Sequence, residues 1–529
     1  VSDASAAARR LIEHLREPGR YAHPVGRVEL VETHISWVLL AGDYAYKVKK
    51  PVDLGFLDFT SLAARHRFCQ EELRLNRRTA AALYLDVVPI GGSVEEPVIG
   101  AAPAIEYAVR MRRFEQDALL DRLARRGALG PDVVDALADA TALFHAEAAR
   151  ATAASGFGSA GRVRAAALQN FDQLAAFEHP GETRAELAAL RDWTERELAA
   201  RRDAIEARRL GGFVRECHGD LHLGNVALVD GRPVPFDCIE FNDDFRWIDV
   251  MSEVAFLVMD LFDHRLDALA WRCLNRYLEA TGDYEGLAVL RFHLVYRAMV
   301  RAKIARIRAA QDELAPDARS ASTARFREYL ALARRLATGA RPAIVLMHGL
   351  SGSGKTTVAG RLVEALGAVR VRSDVERKRL LGLKALERTH AEVASGAYDA
   401  ETTRRTYHRL AAAARAIAGG GFRAIADAAF LHAADRAAFG ALARELAVPL
   451  AIAACTAPEA ALRARIAARE RAATDASEAS LAVLDHQLAT YEPLDAGERA
   501  AAVTFDTGTD QSAAIHELAR RLAPAEPAP

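Results

Sequence analysis

The spacing of apolar positions changes character along the chain, and each change predicts a different kind of element. Residues 1–17 place apolar side chains at helical spacing and stop at Pro18-Gly19, which predicts a short amphipathic helix. From Val28 the pattern alternates instead. Val28–Thr33, Ser36–Leu40 and Tyr44–Lys50 read as strands, the last two joined across Ala41-Gly42-Asp43 as a hairpin. Period-two alternation puts Lys47 and Lys49 on one face of the second hairpin strand. A helix over Leu62–Ala81 carries Glu71 and Glu72, and Leu85–Ile90 and Glu106–Arg112 read as further strands. Residues 1–113 therefore predict a small mixed lobe.

From 114 to 337 the pattern is mostly helical, broken near 127–131 and 153–158. His145 falls inside one of these helices and reads as a packing histidine. The texture changes abruptly over Val214–Asp230 and Val234–Phe241, where a polar loop lies between strand-like runs. A natural linker follows at 338–342 (Thr338-Gly-Ala-Arg-Pro342), and residues 343–529 begin with the apolar run Ile344–Met347. Val369–Asp374 and Phe422–Asp427 read as strands that each end in an acid. The fold class this predicts is multidomain, α+β in the first part and α/β with a parallel sheet flanked by helices in the second.

At 529 residues the chain exceeds what one core serves, in keeping with several domains. A formal net charge of −1 gives no global attraction to nucleic acid or anionic membrane. No long uncharged apolar run occurs and the start lacks a basic-then-apolar leader, so the expected location is the cytoplasm. The five cysteines show no C-x-x-C spacing and read as small buried hydrophobes. Of 70 Lys plus Arg only positions 47, 49, 50, 303, 355, 378 and 384 are lysine, so each lysine invites a question about its chemistry.

One of them closes a phosphate loop. Gly349, four intervening residues, then Gly354-Lys355-Thr356 follow an apolar strand and precede a helical pattern, which is the full G-x-x-x-x-G-K-[ST] motif in its strand-loop-helix setting. Backbone N–H groups of a loop built from Gly349, Ser351, Gly352, Ser353 and Gly354, with Thr357 beginning the helix, curl around phosphate oxygens. Lys355 adds a point charge and Thr356 a hydroxyl for Mg²⁺. Residues beyond about 340 are thus expected to bind ATP or a related triphosphate. Since ligands of an open parallel sheet gather at strand C-termini, Asp374 and Asp427 should converge on this loop, Asp427 near Mg²⁺ and Asp374 as base or substrate anchor.

The first half carries another constellation. Asp220 and Asn225 have the spacing of a kinase catalytic loop and Asp237 lies just downstream, one carboxylate to accept a proton and Asn225 with Asp237 to hold Mg²⁺. A strand lysine and then a helix acid precede them, in the order a kinase uses. His218-Gly-Asp-Leu-His-Leu-Gly-Asn225 and Phe236-Asp237 resemble the aminoglycoside phosphotransferase and choline kinase-like family over residues 25–312. The resemblance implies a bilobal, protein kinase-like fold acting on small molecules. It makes Asp220 the catalytic base, Asn225 and Asp237 the Mg²⁺ ligands, Lys47 (or Lys49) the phosphate lysine, and Glu71 or Glu72 its partner. It also suggests Asp249 as structural support near the catalytic loop. In departures from the pattern, Thr33-His-Ile-Ser36 stands where a glycine-rich loop would be, and Leu223 where many relatives have proline.

The second half resembles the gluconate kinase, shikimate kinase and zeta-toxin group of P-loop kinases, on the phosphate loop, the two strand-end acids and the segment Ala461–Arg471. That resemblance makes Arg465 and Arg469, four apart on one helical face, catalytic candidates that neutralise the transferring phosphoryl group; a solvated basic face is the alternative. Asp475, Ser477 and Gln487 also resemble the group. Together the resemblances imply a bifunctional ATP- and Mg²⁺-dependent kinase with small-molecule phosphoryl acceptors and no nucleic-acid or membrane partner. The alternatives are a nucleotide-sensing P-loop module gating a single kinase, or a C-terminal half that phosphorylates RNA ends.

Overall fold

In the computed structural model of the chain, residues 3–55, 57–311, 314–385, 387, 399–472, 477 and 479–523 are described. They form two compact units, one running to Val163 and resuming over Ile205–Asp260, the other made of Arg164–Ala204 and the chain from Leu261 on.

The first unit is built on an antiparallel sheet of β1 (Val28–Glu32), β2 (Ser36–Ala41), β3 (Tyr44–Lys49), β4 (Tyr84–Gly92), β5 (Pro97–Ile99) and β6 (Glu106–Arg112), ordered β1-β2-β3-β6-β4-β5. Alternation along β3 divides its side chains. Tyr46 and Val48 pack with Trp37, Leu39 and, from the helix Asp3–His14 and its end, Leu11 and Leu15. Lys47 and Lys49 point to the other face, toward the helix Leu62–Ala80. That helix starts where Ser61 accepts the Ala64 N–H at 3.1 Å, and buries Cys69 and Ala80 against Val109 and Tyr84. Further on, β7 (Val214–Glu216) pairs with β10 (Trp247–Asp249), and β8 (Val226–Val229) with β9 (Arg232–Pro235). The Asp220 loop spans β7 to β8, and Asp237 and Glu240 follow β9.

The second unit holds a parallel sheet of β11 (Ala343–His348), β12 (Ala368–Arg372), β13 (Arg423–Asp427), β14 (Leu450–Thr456) and β15 (Ala502–Asp506), ordered β12-β13-β11-β14-β15. β11 is central and buried along its whole length, as its unbroken apolar run requires. It packs with Val358 and Leu362 of the helix Lys355–Leu366. Strand β12 ends at Arg372, short of the expected acid. Ser373 opens a helix to Leu380, which puts Asp374 in its first turn, where the helix dipole favours a carboxylate.

Packing divides the chain differently from motif. The helices after Leu261, read from sequence as part of the first half, belong to the second unit. One of them, Asp267–Thr281, covers the edge of β12: Asn275 donates to Ala368 O at 2.9 Å and accepts the Arg370 N–H at 2.7 Å, so one amide mimics a neighbouring strand. Trp271 of the same helix packs on the sheet core. Glu279 then pairs with both Arg370 (3.2 Å) and Arg372 (3.1 Å). Among the described residues no helix is long and apolar enough to cross a membrane.

Candidate active sites

In the first unit the catalytic loop is set by glycine, histidine and buried acids. Gly219 has φ +89° and a Cβ there would lie 2.8 Å from Phe245 O, so only glycine lets the loop pass beneath that carbonyl. Glu253, fully buried, accepts the His218 N–H at 3.0 Å and the Gly219 N–H at 2.6 Å, while His145 Nε2 lies 3.0 Å from the same carboxylate. Burial opposes its ionisation, yet these partners hold its pKa down to about 2. Asp260 accepts the Leu223 N–H at 2.9 Å. A proline at 223 would have no N–H to give.

On that frame Asn225 Nδ2 donates to Asp220 O and to Asp220 Oδ2, both at 3.0 Å, which fixes the Asp220 carboxylate. His222 accepts the Gly224 N–H through Nδ1 at 3.1 Å, so Nε2 carries the proton that faces Asp220 Oδ2 at 3.4 Å. Asp237 takes up φ +66°, a conformation rare outside glycine, and turns a carboxylate that is 41% exposed toward the lysine strand. Lys47 bonds Asp237 and, at 2.8 Å, Glu72. Burial alone would lower the Lys47 pKa; the carboxylates of Asp237 and Glu72 raise it well above the usual lysine range. Asp220 and Asn225 form one hydrogen-bonded pair and Asp237, Lys47 and Glu72 a second set, and the Phe236 N–H donated to Asn225 O at 2.9 Å ties the two stretches at the backbone. The residues offered to Mg²⁺ are hard oxygen donors, which fits that ion.

The second unit presents its site at the C-terminal ends of its parallel strands. Gly349, Gly352 and Gly354 have φ +139°, +81° and +84°, and a Cβ on Gly352 would lie 2.6 Å from Leu462 O. The loop is therefore wrapped. Ser351, Gly352, Gly354, Lys355, Thr356 and Thr357 line a cavity of about 420 Å³, whose other walls include Asp374, Asp427, Arg465 and Arg469. Gly349 and Ser353 lie instead along a neighbouring cavity on the loop's other side. Lys355 folds back, donating to Gly349 O and Leu350 O at 2.8 Å each. Enclosure of its ammonium pushes its pKa down, against the pull of Asp427. Asp427 is buried with Oδ2 unpartnered, and burial pushes its pKa up despite Arg370, Arg372 and Lys355. An orphaned buried carboxylate oxygen beside Thr356 suits a divalent cation. Arg465 donates to Gly352 O (3.2 Å) and Thr507 Oγ1 (2.8 Å), and Arg469 to Ala479 O (2.7 Å), which holds both arginines at the cavity wall.

Residues 344–494 match the family model described as an AAA domain. The uncharacterized proteins Rv2004c of Mycobacterium tuberculosis and Mb2027c of Mycobacterium bovis are each 31% identical to this chain over 482 residues, covering 89% of it and 93% of theirs. The chain belongs to their family. Among solved structures, a choline/ethanolamine kinase family protein from Mesorhizobium loti is similar at 13% identity, over 61% of this chain and 99% of that one, with a TM-score of 0.37. A gluconokinase from Sinorhizobium meliloti is similar at 18% identity, over 35% of this chain and 93% of that one, with a TM-score of 0.25. The second unit holds a P-loop domain within the residues that match the AAA-domain family model.

Within this family member several sequence expectations sharpen and some are corrected. Glu71 is not the lysine partner: one helical position rotates the side chain by about 100°, and Glu71 pairs with Arg74 (2.6 Å) and Arg246 (3.2 Å) while Glu72 faces β3. Of the two lysines, Lys49 is fully enclosed with Glu72 and Glu240, whereas Lys47 reaches the exposed Asp237. Asp249 holds Arg208 at 2.7 Å and caps Met251 N at 2.8 Å, while Glu253 and Asp260 accept N–H groups of the Asp220 loop. Those two acids gave no sequence signal, since they stand on an otherwise apolar helix, Val250–Asp263. Where a glycine-rich loop was missing, Thr33 and Ser36 close a tight turn, the Thr33 hydroxyl accepting the Ser36 N–H at 2.9 Å. Gln487 accepts the Ser351 N–H at 2.8 Å. Asp475 lies outside the described residues.

Proposed function

We propose that the chain is a bifunctional phosphotransferase in which each half moves the γ-phosphate of ATP to a hydroxyl-bearing small molecule, such as a sugar, sugar acid, polyol or aminoglycoside-like acceptor. The observation that carries the reading is a pair of arrangements in the first unit: Asn225 holds Asp220, and Lys47 bridges Glu72 and Asp237. Asp220 accepts the acceptor's hydroxyl proton, the acceptor oxygen forms its bond to Pγ, and the Pγ–O bond to ADP breaks with its electron pair leaving on ADP. Lys47 grips phosphate, Glu72 aims it, and Asn225 and Asp237 would hold Mg²⁺. In the second half the loop N–H groups and Lys355 bind phosphate, Thr356 and Asp427 would hold Mg²⁺, Asp374 serves as base, and Arg465 and Arg469 meet the transferring group. Bound Mg²⁺ supplies charge neutralisation on the phosphates.

The test follows γ-phosphate transfer across a metabolite library with wild type, Asp220→Ala and Lys355→Ala. Loss of separate products in the two variants is the expected result. One product that disappears in either variant would refute independent activities and leave a single kinase gated by its P-loop half. A product set confined to RNA ends, with binding that weakens steeply in salt, would replace the small-molecule reading of the second half.

A further inference from the structure

Lysine is scarce in this chain, yet two of its lysines share one buried carboxylate. Glu72 Oε1 accepts from Lys47 at 2.8 Å and Glu72 Oε2 from Lys49 at 2.7 Å. From there the lysines diverge. Lys47 reaches on to Asp237, whose carboxylate is 41% exposed, and Lys49 reaches inward to Glu240. Glu72 and Lys49 are 0% exposed and Glu240 4%, with the Phe59 ring centred 5.0 Å from the Lys49 ammonium.

A lysine that grips a triphosphate must turn its ammonium from protein oxygens toward phosphate oxygens. Were Lys47 the only partner of Glu72, that turn would strip a fully buried carboxylate of its counter-charge, which is the strongly unfavourable way to break a buried pair. Lys49 removes the problem, because it stays on Glu72 when Lys47 leaves. Glu240 in turn balances Lys49. The five groups Lys47, Lys49, Glu72, Glu240 and Asp237 carry one negative charge in excess, and the most exposed acid of the set is Asp237, where a cation is to be held. A compact ammonium with three donors serves two carboxylates in so closed a space, where a planar guanidinium would not fit the same geometry.

Resting on the kinase reading of this site, we propose that Lys49 and Glu240 are positioning residues for phosphoryl transfer: a fixed ion pair that keeps Glu72 neutralised and aimed while the Lys47 ammonium passes between Asp237 and the phosphates of ATP. Neither touches substrate. Both act through Glu72.

The experiment uses the full chain in a Lys355→Ala background, which silences the second site, and measures MgATP binding by titration calorimetry together with Asp220-dependent ATP turnover. Lys49→Met with Glu240→Gln removes both buried charges at once, so no unpaired ion is left to unfold the lobe. The expected result is a MgATP Kd and KM raised about tenfold or more with a smaller change in kcat, at a Tm near that of the parent. Lys49→Arg in the otherwise parental site should recover less than the native lysine. A double variant that binds MgATP as tightly as its parent, or loses only Tm and active fraction, would overturn the proposal. If the Lys355→Ala parent shows no MgATP binding that depends on Lys47, the kinase reading of the first unit falls, and this inference with it.

Discussion

The two candidate sites of this chain hold their charge in opposite ways. In the first unit the ionic groups of the site are paired within the protein: Lys47 with Glu72 and Asp237, Lys49 with Glu72 and Glu240, Glu253 with His145 and two loop N–H groups. In the second, Asp427 Oδ2 is buried without a hydrogen-bond partner among the described residues, and Lys355 donates to carbonyls of its own loop. Topology accounts for the difference. An antiparallel lobe sets its lysine strand against a helix, so cation and acid meet before any ligand arrives. A parallel sheet gathers its polar residues at strand ends, where they face outward into a cavity. On the function proposed above, the first site would have to open an internal latch to take phosphate, whereas the second would receive it in a cradle.

The sharpest way to break this contrast is to turn a carboxylate into an amide on each side of it. Glu72→Gln leaves two buried ammoniums short of their shared counter-charge, and urea denaturation should report a loss of about 3–5 kcal/mol with collapse of Asp220-dependent turnover. Unchanged stability would mean the latch is not ionic. Glu253→Gln comes next. Its folded pKa is depressed to about 2 from the ordinary carboxylate value of 4.5, so it contributes stability that is present above the unfolded value and lost as pH falls from 4.5 through about 2. The variant should be less stable by about 3 kcal/mol at pH 7 and should lose that part of the acid dependence, which denaturation at pH 7 and pH 3 checks.

How much of this was legible in the residues follows from how local each signal is. The phosphate loop is a contiguous motif whose strand, glycines and lysine constrain one another, and Gly352 and Gly354 take the positive φ that the motif demands. The contact of Asn225 with Asp220 was readable because loop spacing encodes it. Glu71 against Glu72 was not, since sequence gives the helix but leaves its rotation to packing, which here turns Cys69 and Glu72 inward. Glu253, Asp260 and Glu240 were silent for another reason: their roles are long-range, and a buried acid on an apolar helix is visible only once the N–H groups it receives have been brought to it. Asn275 and Glu279 are similar, for their helix reads as amphipathic whichever sheet it covers.

The second site should answer the same substitution with the opposite sign. Asp427→Asn removes a buried carboxylate that has one oxygen unpartnered, and without ligand the chain should gain about 1–2 kcal/mol of stability while losing Mg²⁺-dependent turnover at the second site. A loss of stability would show that Asp427 is held by compensating charge after all, as the first site's acids are. The smallest effect belongs to Glu71, where the comparison narrows to neighbouring positions on one helix. Glu71 pairs with Arg74, itself half exposed to solvent, and with buried Arg246, which keeps Glu216 as a partner, so Glu71→Ala should cost no more than about 1 kcal/mol and leave MgATP affinity unchanged. Because Glu71 and Glu72 differ only in which way the helix turns them, an effect on affinity as large as that of Glu72→Gln would mean that the helix rotates in solution and that the latch is shared between the two acids.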